Sequence, residues 1–490
     1  MRTKFFFFLV SFFLLSVAGL TTNEVVAQTE NNLVKQPASL LNSEQQSWLA
    51  RANMHGEAGW IYLHIEGSPE ERGFQHGYLL AKEIKESLRV LKVKWEYQSA
   101  MSWSWYVRKC GEILTPKVDP ENLAEINGIV SGMRAAGDST TTDEIVALNG
   151  YMEMMDYWWP QVKDSLKINS PIPEKESCSS FIATGSMTAD GKIVLGHNTM
   201  GGYEEPLCNV ILDIVPDKGH HILMQSFPGF IHSGTDFFIT DAGLVGSETT
   251  IGSFSGFDQN GVPEFSRMRH ATQYADNIDE WCAMMREGDN GGYANAWLLG
   301  DIKTNEIARL ELGLKYVGFE KKKDGYFIGS NVAEDLKVLR FETKEDETNI
   351  MHSSVARRVR WKQLMKEHAG KINVELAEQF EADHYDTYLN KMNPDGRTLC
   401  GHFDLEPNPA TDDPYCPEGT LDGKVVDANM AKQMSFYARW GAACGTAFDA
   451  DKFLEAHPQY DWMKGLLKDR PSEPWVRVSE WIPSGERVEK

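Results

Sequence analysis

The sequence predicts an α+β protein in which helices cover an antiparallel sheet core. Three observations predict it. After residue 67, apolar side chains recur at spacings of three and four, as on the buried stripe of a helix. Residues 178–249 then break into short β-compatible apolar runs, each bounded by Gly, Pro or Asp, as in hairpin-linked strands. Helical spacing returns in Glu264–Arg286 and Ser354–His368. Helices, then many strands, then helices give this class of layered core.

The elements follow in order. Residues 28–58 are polar and read as a leader or an amphipathic first helix. Trp60–Ile65 is an apolar, strand-like run ended by Gly67. Ser68-Pro69-Glu70-Glu71 is a helix start, with Ser68 as cap, Pro69 in the first turn and Glu71 closing a capping box. Phe74, Tyr78, Ala81, Ile84, Leu88, Leu91 and Trp95 continue it as one long helix. Gly73 and Gly77 sit one turn apart on it, where a neighbouring backbone can come close. A second helical region runs from about Pro120 to Tyr157. Lys163–Glu176, with Pro171 and Pro173, reads as an exposed linker. Cys178–Met187, the Ala189-Asp190-Gly191 turn and Lys192–His197 form a hairpin. Further strands are expected at Asn209–Val215, Ile222–Phe227, Phe237–Thr240, Leu244–Thr249, Ala294–Gly300 and Glu306–Leu312. The last hundred residues, rich in Pro, Asp and Gly, read as a segment wrapped around the core.

Composition narrows the function. The 490 residues carry 71 acidic and 49 basic side chains, a formal charge of −22. That excludes a basic nucleic-acid footprint and argues against docking by charge on an anionic membrane. Arg2 and Lys4, the apolar run Phe5–Leu20 and the small residues Val25-Val26-Ala27 predict a signal peptide over 1–27. No Asn-X-Ser/Thr acceptor is present, which favours a bacterial exporter with a periplasmic or extracellular product. No stable membrane insertion is expected after the signal is removed. Seven cysteines is an odd number, so in an oxidising compartment one cannot pair within the chain. Cys400 and Cys416 flank a Pro/Asp-rich loop and are the expected disulfide; Cys178 is expected to stay unpaired.

The chain has no Gly-x-Ser-x-Gly elbow, no His-Glu-x-x-His helix and no phosphate loop. His220-His221 lack the spacing of metal ligands and read as strand residues. No metal and no cofactor is implied. The chemistry concentrates at Glu176-Ser177-Cys178-Ser179-Ser180, a cysteine that begins a buried strand straight after an exposed linker. Cleavage between Ser177 and Cys178 would put a thiol and a free α-amine on one residue. An α-amine titrates near about 8, against about 10.4 for lysine, so it can take the thiol proton at neutral pH. The same thiol can make the cut by attacking the Ser177 carbonyl.

Cys178-Ser-Ser-Phe, the Asp-Gly hairpin and Leu195-Gly196-His197-Asn198-Thr199 resemble the N-terminal-nucleophile hydrolases of the phospholipase B-like group and the related penicillin acyltransferase group. The segment Gly67–Gly77 is similar to a motif of the acyltransferases. Ser226-Phe227-Pro228-Gly229-Phe230 and Gly292-Tyr293-Ala294-Asn295-Ala296-Trp297 resemble phospholipase B-like segments. The resemblance implies a four-layer αββα sandwich of the Ntn-hydrolase type, made as a precursor. Residues 28–177 would be the N-terminal chain and 178–490 the catalytic chain, both parts of one unit. It implies Cys178 as nucleophile and His197 and Asn198 as side chains set against it. Asn295 becomes the oxyanion donor and Arg357 a late arginine, with Arg358 and Arg360 as alternatives. The implied substrates are small acylated amides, peptides or lipid acyl esters, with amides ranked first. A non-catalytic envelope protein that keeps the fold is the rival from another class. Oligomeric state stays open. Met200 departs from both groups, which have Trp or Asp there, so the acyl pocket is expected to differ.

Overall fold

The computed structural model describes residues 41–168, 178–205, 209–234, 236–406, 415–471 and 473–481. The expected signal peptide, most of the linker, Ser177 and Cys208 lie outside these residues. The described chain begins with α1 (Ser43–Arg51), β1 (Asn53–Glu57) and β2 (Trp60–Gly67). Helices α2 (Pro69–Leu79), α3 (Ala81–Ser99), α4 (Trp103–Ile113), α5 (Pro120–Ala135) and α6 (Thr142–Asn149) follow. A π-helical turn (Glu153–Trp158) leads into α7 (Trp159–Val162). Strands β3 (Ser179–Thr184), β4 (Val194–Gly202), β5 (Val210–Pro216), β6 (Ile222–Ser226), β7 (Phe237–Thr240) and β8 (Leu244–Thr250) come next. After α8 (Glu264–Tyr274) and α9 (Ile278–Arg286) come β9 (Asn295–Asp301), β10 (Glu306–Leu312), β11 (Val317–Lys322) and β12 (Gly325–Gly329). The chain continues through α10 (Leu336–Glu342), α11 (Ser353–Glu367), α12 (Val374–Glu381) and a small hairpin, β13 (Tyr385–Asp386) with β14 (Lys391–Met392). It closes with β15 (Glu418–Asp427), α13 (Ala428–Lys432), β16 (Ser435–Trp440), α14 (Ala450–Ala456) and β17 (Val476–Ser479).

The strands make two large sheets. One runs β1-β2-β5-β6-β7-β8-β9-β10-β11 and the other β12-β3-β4-β15-β16-β17. Strands β3 and β12 of the smaller sheet face β8, β9 and β10 of the larger one. Helices α8 and α9 lie on β7, β9 and β10, and α2 lies on β2 and β5. On the opposite side, α11 covers β12 and α12 covers β4 and β15. The order is helix, sheet, sheet, helix: the expected αββα layering. Pairing is antiparallel except between β2 and β5, which run parallel because the whole first helical block and the β3–β4 hairpin intervene.

Local chemistry explains the helix starts. Ser68 accepts from the Glu71 N–H while the Glu71 carboxylate accepts from the Ser68 N–H, so the capping box is formed. The single long helix expected through Trp95 instead breaks at Leu80, whose ψ of 20° leaves the helical region. The helix expected over 264–286 breaks likewise at the extended Ala275, and Asn277 caps the second piece. The glycines behave as read. A Cβ on Gly73 would lie 2.0 Å from the Glu125 carbonyl oxygen, and one on Gly77 2.0 Å from that of Ile129. Gly128 and Gly132 meet them from α5, so the two helix backbones touch.

Two further expectations fail. The last hundred residues do not merely wrap: β15 is an interior strand between β4 and β16, and with β16 and β17 it supplies half of the smaller sheet. Its Gly419 and Gly423 mask it as loop, yet both are needed. A Cβ on Gly419 would meet the Tyr203 hydroxyl at 2.4 Å, and one on Gly423 the Trp475 ring at 2.7 Å. Cys400 and Cys416 do not pair, and none of the six described cysteines forms a disulfide. The two sulfurs have different neighbours: Cys400 packs with Ala442 and Ala443, and Cys416 sulfur accepts from the Tyr460 hydroxyl.

Candidate active site

Cys178 stands at the head of β3, and its surroundings follow from the alternation of the two strands behind it. Successive side chains of a strand point to opposite faces. Ser179 faces the outer helices, where its hydroxyl accepts from Trp361 Nε1 at 2.8 Å. Ser180 faces the other sheet and meets Ser247 Oγ at 2.7 Å. Cys178 is 2% exposed and lines an open cleft. Tyr157, Met200, Phe227, Thr250 and Tyr293 share its walls. The backbone of Cys178 has φ 85°, in the left-handed region where a side chain costs energy. Burial, then the nearby Asp236 charge, pushes its thiol up to about 12.

Arg357 closes the back of the site. It is fully buried on α11 and donates from Nη1 to the Cys178 carbonyl at 3.0 Å. From Nη2 it donates to Asn331 Oδ1 at 2.8 Å, and Asn331 in turn donates to the Thr250 carbonyl. Its two neighbours on the helix turn elsewhere. Arg358 pairs with Glu334 and Arg360 with Asp383, so of the three arginines Arg357 is the one that reaches Cys178.

The remaining expected residues are placed as follows. His197 points between the sheets, where Nε2 donates to the Glu248 carbonyl at 2.9 Å. Burial, then the Lys424 charge, holds it well below the usual histidine range, so it is neutral. Asn198, next along β4, points the other way and donates to the Glu381 and Leu399 carbonyls at 2.7 and 3.0 Å. Adjacent residues on one strand cannot both face the same nucleophile, and neither of these side chains borders the cleft. Asn295 begins β9 opposite Thr250, a wall of the cleft, but does not itself border the cleft. Its amide is fully buried, and neither Nδ2 nor Oδ1 has a hydrogen-bond partner.

Sequence reasoning missed an acidic cluster. The Tyr293 hydroxyl donates to Asp236 and lies 3.1 Å from Glu248 Oε2, and all three groups are buried. Burial pushes Asp236 up to about 6 and, together with the facing Asp236 charge, holds Glu248 well above the carboxylate range. Two carboxyls this close cannot both ionise, so they share a proton. The signal was a glutamate inside the strand-like run Leu244–Thr249. Lys424 of β15 is also fully buried, with Nζ 2.6 Å from Thr199 Oγ1, beside the cleft.

The segment Gly67–Gly77 serves packing. Arg72 pairs with Glu125 at 2.7 Å, and Gln75 donates to the Trp48 and Glu66 carbonyls. His76 Nε2 accepts from the Gly229 N–H at 2.9 Å, and burial lowers this imidazole to about 4. The helix segment and the Ser226–Phe230 segment are thus joined, and Phe227 of the latter lines the cleft. His220 bridges Asp241 and Asp276, while His221 pairs with Asp213, as ordinary strand-end contacts.

A family model described as Phospholipase B matches residues 120–318. The chain is similar to phospholipase B-like proteins. An uncharacterized protein of Archaeoglobus fulgidus is 26% identical over 265 residues, 51% of this chain and 42% of that one. Phospholipase B-like protein C of Dictyostelium discoideum is 23% identical over 311 residues, 53% of each chain. Putative phospholipase B-like 2 of Rattus norvegicus is 28% identical over 167 residues, 29% of this chain and 28% of that one. The chain therefore spans about half or less of the length of these relatives. Among solved structures, a conjugated bile acid hydrolase from Clostridium perfringens is 10% identical with a TM-score of 0.32, covering 56% of this chain and 93% of that one. Penicillin V acylase from Agrobacterium tumefaciens is 10% identical with a TM-score of 0.28, covering 54% and 83%. The resemblance to phospholipase B-like proteins read from the motifs is borne out. No helix among the described residues is long and apolar enough to cross a membrane.

Proposed function

We propose that the chain is an exported, self-processing cysteine hydrolase that cleaves acyl bonds through a thioester. Residues 1–27 act as the signal, 28–177 as the N-terminal chain and 178–490 as the catalytic chain. One observation supports this reading above the others. A cysteine with strained backbone opens onto a cleft, with a guanidinium on its own carbonyl and a proton-sharing carboxyl pair beside it. In maturation, Cys178 sulfur attacks the Ser177 carbonyl and the C–N bond breaks, giving a thioester and a free α-amine. Water then releases the Ser177 carboxylate and restores the thiol. In turnover, the α-amine takes the thiol proton as sulfur attacks the substrate carbonyl. The resulting ammonium protonates the leaving amine or alkoxide, and water hydrolyses the acyl-enzyme. The unpartnered Asn295 amide is the donor for the oxyanion, whose charge develops as the transition state is approached.

Small acylated amides are the first-ranked substrates. A second reading, hydrolysis of lipid acyl esters, is favoured by the Phospholipase B match and by the names of the relatives. Purified wild type and Cys178→Ala should be compared on acyl amides and on lysophospholipids. Turnover of amides by wild type alone is expected. Turnover of lysophospholipids alone would select the second reading, and an active Cys178→Ala would remove the nucleophile assignment.

A further inference from the structure

Away from the Cys178 cleft, four residues from three stretches of chain converge. His384 follows α12, Cys400 and His402 lie between β14 and β15, and Cys444 follows β16. One potential ligand atom from each, two imidazole nitrogens and two sulfurs, lies within 4.8 Å of all the others. His402 Nε2 is 3.5 Å from Cys400 Sγ and 3.4 Å from Cys444 Sγ. In a tetrahedral zinc site, with Zn–S near 2.3 Å and Zn–N near 2.0 Å, the sulfur-to-nitrogen edge is about 3.5 Å. Both measured edges match it. A lone sulfur–imidazole hydrogen bond explains one such contact, but not two sulfurs on one nitrogen with a second imidazole alongside.

We propose that His384, Cys400, His402 and Cys444 form a Cys2His2 site for one zinc ion. The surroundings fit a metal. His384 Nε2 is closed off from solvent and makes no well-formed hydrogen bond. His402 turns its other nitrogen, Nδ1, toward Asp404 Oδ1 at 3.7 Å, the carboxylate that orients a ligating imidazole. Cys444 sulfur accepts the Thr446 N–H at 3.4 Å, which stabilises a thiolate. Soft sulfur with imidazole in tetrahedral array selects zinc over calcium or magnesium. As the two Zn–S bonds form, both thiols release their protons to solvent. Four protein ligands leave no open position, so the ion is structural. Its task is to fix a wall of the cleft: Gly401 lies between two ligands, and a Cβ there would sit 3.0 Å from the sulfur of Met200, which lines that wall. The ligands are spread from 384 to 444, so no short spacing motif announced them.

The test uses the full chain purified under reducing conditions, dialysed against zinc and then freed of loose metal. Elemental analysis should find one zinc per chain. Exchange for cobalt should give thiolate-to-cobalt charge-transfer absorption and tetrahedral d–d bands. Cys444→Ser should lose both. Should that variant fail to fold, Asp404→Asn keeps every ligand and should weaken metal affinity about 10–100-fold. Cys178→Ala should retain the ion and the spectrum, separating this site from the proposed nucleophile. Wild type with no bound metal and no cobalt charge-transfer band would overturn the proposal, as would a Cys400–Cys444 disulfide in place of the ion.

Discussion

Two buried acidic clusters sit in this protein under similar burial and opposite electrostatics. Between α2, α5 and α8, Glu125 lies against two guanidinium groups, Arg72 at 2.7 Å and Arg269 at 3.1 Å. Burial alone would raise its carboxyl, but Arg269 and Arg72 overcome that and hold it at about 2. Beside Cys178, Asp236 and Glu248 face each other with a tyrosine between them, and burial pushes both up. The first cluster holds three helices together at one fixed charge. The second is poised to gain or lose a proton near neutral pH, next to a buried thiol. Structure that only needs to persist settles its charges, and departures from that rule mark where chemistry is done.

That contrast can be broken or sharpened by substitution. The largest effect is expected at Asn295. Asn295→Ala should lower kcat about 100- to 1000-fold with little change in KM, since an oxyanion donor acts in the transition state. A merely structural asparagine would instead lower stability and leave kcat of the folded protein intact. Next comes the settled region. Gly77→Ala forces a Cβ onto the Ile129 carbonyl and should cost about 1–3 kcal/mol or more in denaturant unfolding, with no direct effect on the chemistry. The smallest effect is expected at Asp236, whose charge helps hold the Cys178 thiol up. Asp236→Asn should lower the thiol's proton affinity, so that alkylation of Cys178 sets in at a lower pH than in wild type. A profile unmoved by this change would detach the acidic pair from the sulfur.

Legibility in the sequence followed the range of the interactions. The Ser68 capping box, the Gly73 and Gly77 contact and the Asp-Gly hairpin before β4 are written in short spacings, and they were read directly. Cys178 stood out for the same reason, being the first residue of a strand after a linker. The interior strand β15 was hidden because its glycines mimic loop composition, while the side chains that require them, Tyr203 and Trp475, are remote in sequence. The family resemblance implies His197 and Asn198 as a pair, yet strand alternation sends them to opposite faces. The Asp236–Tyr293–Glu248 cluster joins three separate segments, and only their shared burial makes them a unit. Cys400 and Cys416 flank one loop and so suggest a pair, whereas the neighbours of Cys400, His402 and Cys444, are set by the layering.

The central claim is that Cys178 becomes an N-terminal residue by its own chemistry. Intact mass measurement with N-terminal sequencing of purified wild type and Cys178→Ala tests it most directly. The account predicts that wild type yields a fragment beginning at Cys178, and that the variant folds but stays uncut. A wild type that remains a single chain through residues 177 and 178 under all conditions, or a variant cut at the same bond, would contradict it.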